Sequence, residues 1–423
     1  MNIEDQFCSS PWFHMRITNN GKLEFCRWAD NHLLTDQENI ATTHPLTFFQ
    51  KVMAPLRQDM LDGKTVAACH YCKTMEQHGK ISGRQKQLLK TGIVKDNFVK
   101  TAASSTFRTA FEKTEINLRP VDWQIDLGNH CNSACVFCSP KSSSRLASEF
   151  KRIGFIDQLP DRNWVEDPVA FNNFVHTLST TTGLAYLHFL GGETLITPGF
   201  RSILQALIDA DLHSRVAIGF TTNLTVWDPE MNQLLTQFKT VNLGTSIETL
   251  DRVNDYVRWP SNIGQVTTNL DRWIELAQQN NWITSLRITP TVLTAARVLS
   301  LYQLAVRHNI GIESCNFLHE PAFMRTSVLP MPQRLAIADQ LQTWIDGQAT
   351  NETTVINTRD LHHAQASAVQ DAQSYVQYLR NAPDESDRLP ALVEYLKKLE
   401  KSRSNCVLDY LPDYEQIFRS AGY

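Results

Sequence analysis

Between residues 121 and 318, short apolar, β-branched runs alternate with longer amphipathic ones. Six of the short runs read as strands: VDWQIDL from Val121, LAYLHFL from Leu184, VAIGFTT from Val216, TVNLGTSIE from Thr240, SLRITPTVL from Ser285 and IGIESCNFL from Ile310. Between them, segments such as GFRSILQALIDADL and NLDRWIELAQQNN repeat their apolar residues with the period of a helix that buries one face. Strand alternating with helix predicts βαβ units on a parallel sheet. Six units are most of a (β/α) barrel but too few to close one of the usual kind.

The flanks follow other patterns. FCSSPWFHMRITNNGKLEFC, from Phe7 to Cys26, predicts two short strands joined at Asn20-Gly21, a strong hairpin signal. From Lys73 to about Asn117 the chain is polar, basic and predicted helical, with Lys80, Arg84, Lys86, Lys90, Lys95 and Lys100. Such a charge run is either a solvated linker helix or a docking surface for an anionic partner. After Pro330, PQRLAIADQLQTWI, LHHAQASAVQDAQSYVQYL and PALVEYLKKLEK predict an all-helical extension packed on the barrel. The pattern therefore divides the chain into a Cys-rich module (1–75), a basic helical linker (76–120), a partial barrel (121–325) and a C-terminal helical extension (326–423).

Composition narrows the function classes. At 423 residues, 42% hydrophobic and 20% charged, this is an ordinary globular chain with two or three domains as its prior. The net charge of −4 supplies no global attraction to nucleic acid or to an anionic membrane. MNIEDQ is acidic and polar, unlike a signal peptide, and no apolar run is long enough to span a bilayer. The expectation is a cytoplasmic protein, where clustered cysteines point to metal more often than to disulfides.

Three of the nine cysteines sit together in CNSACVFC, Cys131, Cys135 and Cys138, just after the first barrel strand. In βα barrels catalytic sites lie at that end of the strands. Cysteine thiolates normally occupy all four corners of a [4Fe–4S] cube. Three of them leave one iron open to a small-molecule ligand. The other reading of the residues is a zinc site completed by a fourth ligand such as His130.

The C-x3-C-x-aromatic-C spacing, with Phe137 in the aromatic place, resembles the signature of the radical S-adenosylmethionine (SAM) superfamily. The resemblance implies a partial (β/α)6 barrel with SAM chelating the open iron. FLGGET, one strand later, resembles the family's G-G-E motif and assigns Gly191, Gly192 and Glu193 to the methionine amino group. NLGTSIE resembles the ribose-contacting segment and assigns Ser246 and Glu248 to the ribose hydroxyls; Arg258 in NDYVRWP fits the arginine that pairs with the SAM carboxylate. TTNL carries Leu224 where relatives often have glycine.

Cys8, Cys26, Cys69 and Cys72 form a second set, in which GKLEFC and CHYC resemble the modules of the SPASM/twitch branch. The one-cluster twitch form, placed N-terminally as in one subgroup, is the better match and implies an auxiliary [4Fe–4S] cluster. The rival reading of the same four thiols is a structural zinc knuckle. Cys315 and Cys406 read as buried small hydrophobes.

The resemblance implies an oxidoreductase-like enzyme. One electron from a reduced flavodoxin or ferredoxin cleaves SAM to methionine and a 5′-deoxyadenosyl radical, which abstracts hydrogen from a small-molecule or peptide substrate. The auxiliary cluster would relay an electron in a net oxidation. Arg287, projecting from the fifth strand opposite Leu286 and Ile288, and His319 and Glu320 after the sixth are candidates for substrate contact or proton transfer. Two rivals remain: an RNA-modifying radical SAM enzyme using the basic stretch, and a non-catalytic zinc scaffold.

Overall fold

The structure, a computed structural model, describes residues 7–34, 38–77, 82–90, 119–181, 184–314, 318, 320–348 and 364–423. Lys80, Lys95, Lys100, Cys315 and His319 lie outside the described residues. Among the described residues the fold is α/β with eight strands, and every described strand pairing but one is parallel. Two compact units divide the chain: Met1–Gly128 with Asp161–Phe220 and Glu230–Val241, and Asn129–Pro160 with Thr221–Pro229 and Asn242–Tyr423.

In the first unit the predicted hairpin forms as β1 (His14–Ile17) and β2 (Leu23–Glu24), antiparallel with Arg16 opposite Glu24. The first three predicted barrel strands follow as β3 (Asp122–Asp126), β4 (Tyr186–Leu190) and β5 (Ala217–Thr222). The order is β2-β1-β3-β4-β5. The local pattern did not show that β1 pairs with β3 in parallel, Met15 opposite Trp123. The hairpin therefore adds its first strand to the edge of the parallel sheet. Helices of this unit are α1 (Ala54–Leu61), α2 (His70–Gln77), α3 (Gly83–Lys90), α5 (Pro168–Thr180) and α6 (Pro198–Asp209).

Alternation explains how that sheet packs. Met15, Ile17, Trp123, Ile125, Leu187, Phe189, Ile218 and Phe220 are buried. Trp123 meets Phe174 of α5 and Phe189 meets Phe200 of α6, with ring centroids 6.1 and 5.1 Å apart. The residues between them, such as Arg16, Gln124, Asp126 and His188, share the opposite face and are polar. There Arg16 Nη1 donates to Glu24 at 2.9 Å and its Nε to Asp126 at 3.1 Å.

The second unit holds β6 (Val241–Ser246), β7 (Ile283–Ile288) and β8 (Gly311–Ser314), parallel in that order. β7 begins two residues before the expected start, and its end precedes Pro290. Its helices are α4 (Ser144–Arg152), α7 (Ile263–Gln279) and α8 (Val298–His308), then α9 (Met331–Gln348), α10 (Ala364–Asn381) and α11 (Leu389–Arg403) of the predicted helical extension. α10 lies against β8, where Asp371 accepts from the backbone N–H of Ser314 at 3.2 Å and from Tyr302 Oη at 2.8 Å. Among the described residues no helix is long and apolar enough to cross a membrane.

Candidate metal centres

The loop from Asn129 to Pro140 is irregular, and its three cysteines are in no disulfide: Cys135 is buried, Cys131 and Cys138 half-buried. Small polar residues hold it. Ser143 caps α4 by accepting the Leu146 N–H at 3.1 Å, and donates its hydroxyl to the Ser133 carbonyl at 2.6 Å. Asn223, from the TTN segment, donates to Asn132 Oδ1 at 2.8 Å and Ser133 Oγ at 3.0 Å. Burial, together with Cys135 and Cys131 alongside, pushes the Cys138 thiol up to about 12. Burial raises the Cys135 thiol as well, so these two thiols resist ionising without a compensating cation. That donor set fits a soft, thiolate-preferring metal group.

Leu224 follows Asn223 and adopts the left-handed conformation, φ +65°. The turn thus keeps the geometry that glycine would take without strain. The fully buried Leu224 side chain and a 2.8 Å bond from Asn269 Nδ2 to its carbonyl hold it there.

Glu248 and Arg258 form a buried pair beside the cysteine loop. Arg258 Nη2 and Nε donate to Glu248 Oε1 at 2.7 and 3.2 Å, and the Thr289 N–H donates to Glu248 Oε2 at 2.7 Å. Burial pushes the Glu248 carboxyl up, with Arg258 opposing. Burial works against the Arg258 charge, but Glu248 and Cys135 outweigh it and raise its pKa. Its third nitrogen, Nη1, faces Cys135 Sγ at 3.9 Å, and its guanidinium lies 5.6 Å from the Phe137 ring centroid. Glu248 therefore spends both oxygens on protein donors.

The remaining predicted residues fall as follows. Gly191 has φ +137°, and a Cβ there would stand 2.6 Å from the Gly128 carbonyl. The Gly192 N–H donates to that same carbonyl at 2.9 Å. The glycines thus allow the ends of β3 and β4 to close on each other. Glu193 is 1% exposed and accepts the Leu195 N–H at 3.2 Å, capping a short turn. Ser246 ends β6 half-buried. Arg287 pairs with Glu313 on β8. Glu320 is exposed; its carboxylate accepts the Ala322 N–H at 3.1 Å. Cys406 is half-buried with its Sγ 3.2 Å from Tyr423 Oη.

Cys8, Cys26, Cys69 and Cys72, drawn from three stretches of the first unit, line one pocket with Trp28, Lys73 and Arg84. Among the described residues no three Cys, His, Asp or Glu side chains converge as they would around a single ion. The four thiols instead surround a cavity. Burial, and then Cys8 and Cys72, push the Cys69 thiol up to about 12, and burial and Cys8 raise Cys26 as well. Backbone N–H groups point at the sulfurs: Trp28 to Cys26 at 3.3 Å, and Gly83 and Arg84, at the start of α3, to Cys72. Any Cβ on Gly83 would strike the Trp28 indole at 2.1 Å, so glycine is what brings this helix end so close. Arg84 ties the pocket wall together by donating to Glu76 at 3.0 Å and to the Phe7 carbonyl at 3.1 Å.

Residues 125–304 match the profile of the Radical SAM superfamily. That stretch is similar to a radical SAM domain. Among solved structures it is similar to SuiB of Streptococcus suis, with 14% identity and a TM-score of 0.33 over 75% of this chain and 64% of that one. It is also similar to SuiB bound to its precursor peptide SuiA (14%, 0.36, 75% and 65%) and to TYW1 with a lysine–pyruvate adduct bound (13%, 0.29, 50% and 70%). The chain spans 64% to 65% of the length of these SuiB chains. No curated protein matches the chain.

A radical SAM domain implies an enzyme that uses a [4Fe–4S] cluster and SAM, and Cys131, Cys135 and Cys138 fall inside the matched range. The supports of their loop were less visible in sequence. Asn223 carried a signal, standing in the TTN segment at a strand end. Ser143, Asn132 and Thr289 carried none, because the bonds that matter, to Ser133, Asn223 and Glu248, join residues that local spacing does not connect.

Proposed function

We propose that Cys131, Cys135 and Cys138 hold the SAM-binding cluster and that the protein is an oxidising radical SAM enzyme of the SPASM/twitch branch. The observation that carries this is the loop itself: three cysteines outside any disulfide on a fixed backbone, with the Arg258 guanidinium facing the middle one. When bound, a three-thiolate [4Fe–4S] cluster supplies an electron and an open iron at which SAM is cleaved reductively. The protein's own part is orientation and exclusion of water. Glu248 fixes the Arg258 fork through Nη2 and Nε, which leaves Nη1 to donate to the methionine carboxylate. Glu193 is assigned to the methionine ammonium, a charge-assisted pairing, and Ser246 to the ribose. The reductant would be a flavodoxin or ferredoxin, and the substrate a small molecule or a peptide.

Glu193→Gln tests the SAM assignment, because glutamine keeps the capping oxygen and removes the charge. Its affinity for SAM should fall by about 1–2 kcal/mol, roughly five- to thirtyfold, with iron content unchanged. Wild-type affinity by calorimetry would refute the role.

Cys8, Cys26, Cys69 and Cys72 are proposed to hold an auxiliary [4Fe–4S] cluster. The backbone N–H groups aimed at their sulfurs support this, since such bonds stabilise thiolates and tune cluster potential. Four protein thiolates leave no iron open, so its role would be to accept an electron. Cys69→Ala/Cys72→Ala protein should still cleave SAM when given reductant but make no oxidised product. Normal product formation by this folded variant would reduce the module to a structural role.

A further inference from the structure

We infer that Arg403 and Tyr395, on the C-terminal helix α11, are positioning residues that clamp the loop bearing Cys131, Cys135 and Cys138. The inference rests on the three-cysteine reading above. Cys135 is the middle ligand of that loop, flanked by Ala134 and Val136, and both of these are fully buried. On one side, their N–H groups donate to the carbonyls of Trp259 and Val257. On the other, the Ala134 carbonyl accepts from Arg403 Nη2 at 2.8 Å and the Val136 carbonyl from Tyr395 Oη at 2.7 Å. Every backbone polar group on either side of Cys135 is thereby taken. The cysteine is held between the 257–259 segment and α11.

Arg403 is built for this work. Its side chain is 1% exposed and that of Glu149, on α4, is 3% exposed. Glu149 accepts from Arg403 Nε at 3.0 Å and Nη2 at 2.7 Å, and from Ser402 Oγ at 2.8 Å. The guanidinium also lies 4.9 Å from the Trp259 ring centroid. Glu149 thus sets the plane of the fork, and the planar fork aims a donor at Ala134. A lysine ammonium is a point charge without that geometry. Tyr395 is fixed in turn among Phe150, Phe155 and Phe323, with ring centroids 6.2, 5.6 and 4.9 Å away.

The consequence concerns the metal group. Partners one shell out from a metal ligand orient it, and their loss weakens metal retention. A clamp on both neighbours of Cys135 sets the direction of its Sγ before any metal arrives. A helix that merely docked would bury side chains without bonding to the two residues beside the ligand.

The test compares Tyr395→Phe and Arg403→Lys with Tyr302→Phe, which removes a buried hydroxyl bond from the same unit without touching the loop. The readout is the electron paramagnetic resonance signal of reduced, reconstituted protein with and without SAM, since only a cluster with an open iron responds to SAM. In Tyr395→Phe and Arg403→Lys this SAM-responsive signal should change shape and disappear about tenfold faster in air. Tyr302→Phe should behave as wild type. Tyr395→Phe loses one oxygen only, so it decides the matter even where Arg403→Lys fails to fold. A wild-type signal and lifetime in Tyr395→Phe would overturn the clamp, as would equally fast loss in Tyr302→Phe. A wild-type protein with no SAM-responsive signal would overturn the three-cysteine reading, and the clamp with it.

Discussion

Alanine at Cys131, Cys135 and Cys138 together should halve the iron of the reconstituted protein, from about eight to about four per chain, and abolish SAM cleavage. The reasoning is stoichiometric. Two cubes are proposed on two separate thiol sets, three on the loop and four around the pocket lined by Cys8, Cys26, Cys69 and Cys72. No thiol is shared between the sets. Emptying one should leave the other, together with its visible absorbance, intact. Iron analysis of the triple variant checks this. Loss of all the iron, or of none, would contradict two independent centres.

The second large effect is on stability. Glu248 is 2% exposed and receives Arg258 twice and the Thr289 N–H once. Glu248→Ala leaves the Arg258 guanidinium buried without its partner, a change that costs about 3–5 kcal/mol. Chemical unfolding of the reconstituted variant should show that loss. Glu248→Ala/Arg258→Met should recover part of it, because the stranded charge is gone. A loss under about 1 kcal/mol in the single variant would mean that water or another carboxylate reaches Arg258.

The elements that repeat locally were readable in the sequence. β3 to β8 announce themselves by apolar, β-branched runs, and the Asn20-Gly21 turn announces the hairpin. The two cysteine sets were readable because thiol spacing is itself the chemistry. What the sequence hid was distance. β1 and β3 pair in parallel across the long segment between them, and nothing in HMRI names DWQID as its neighbour. Arg403 and Tyr395 reach a loop 269 and 259 residues earlier. In sequence they read as one more amphipathic helix. Glu248 looked like a polar residue free to meet a ligand, since a strand period reveals a face and not a partner. Leu224 shows the opposite case, an unexpected residue held by burial in the glycine-like conformation.

The central claim is that the loop of Cys131, Cys135 and Cys138 makes this chain a SAM-cleaving enzyme. Anaerobic incubation of the reconstituted protein with SAM and a strong reductant tests it most directly, with 5′-deoxyadenosine measured by mass spectrometry. The account predicts 5′-deoxyadenosine and methionine in equal amounts, and none from the triple alanine variant. Wild-type protein that is loaded with iron and reduced yet forms no 5′-deoxyadenosine would contradict it, as would equal formation by the triple variant.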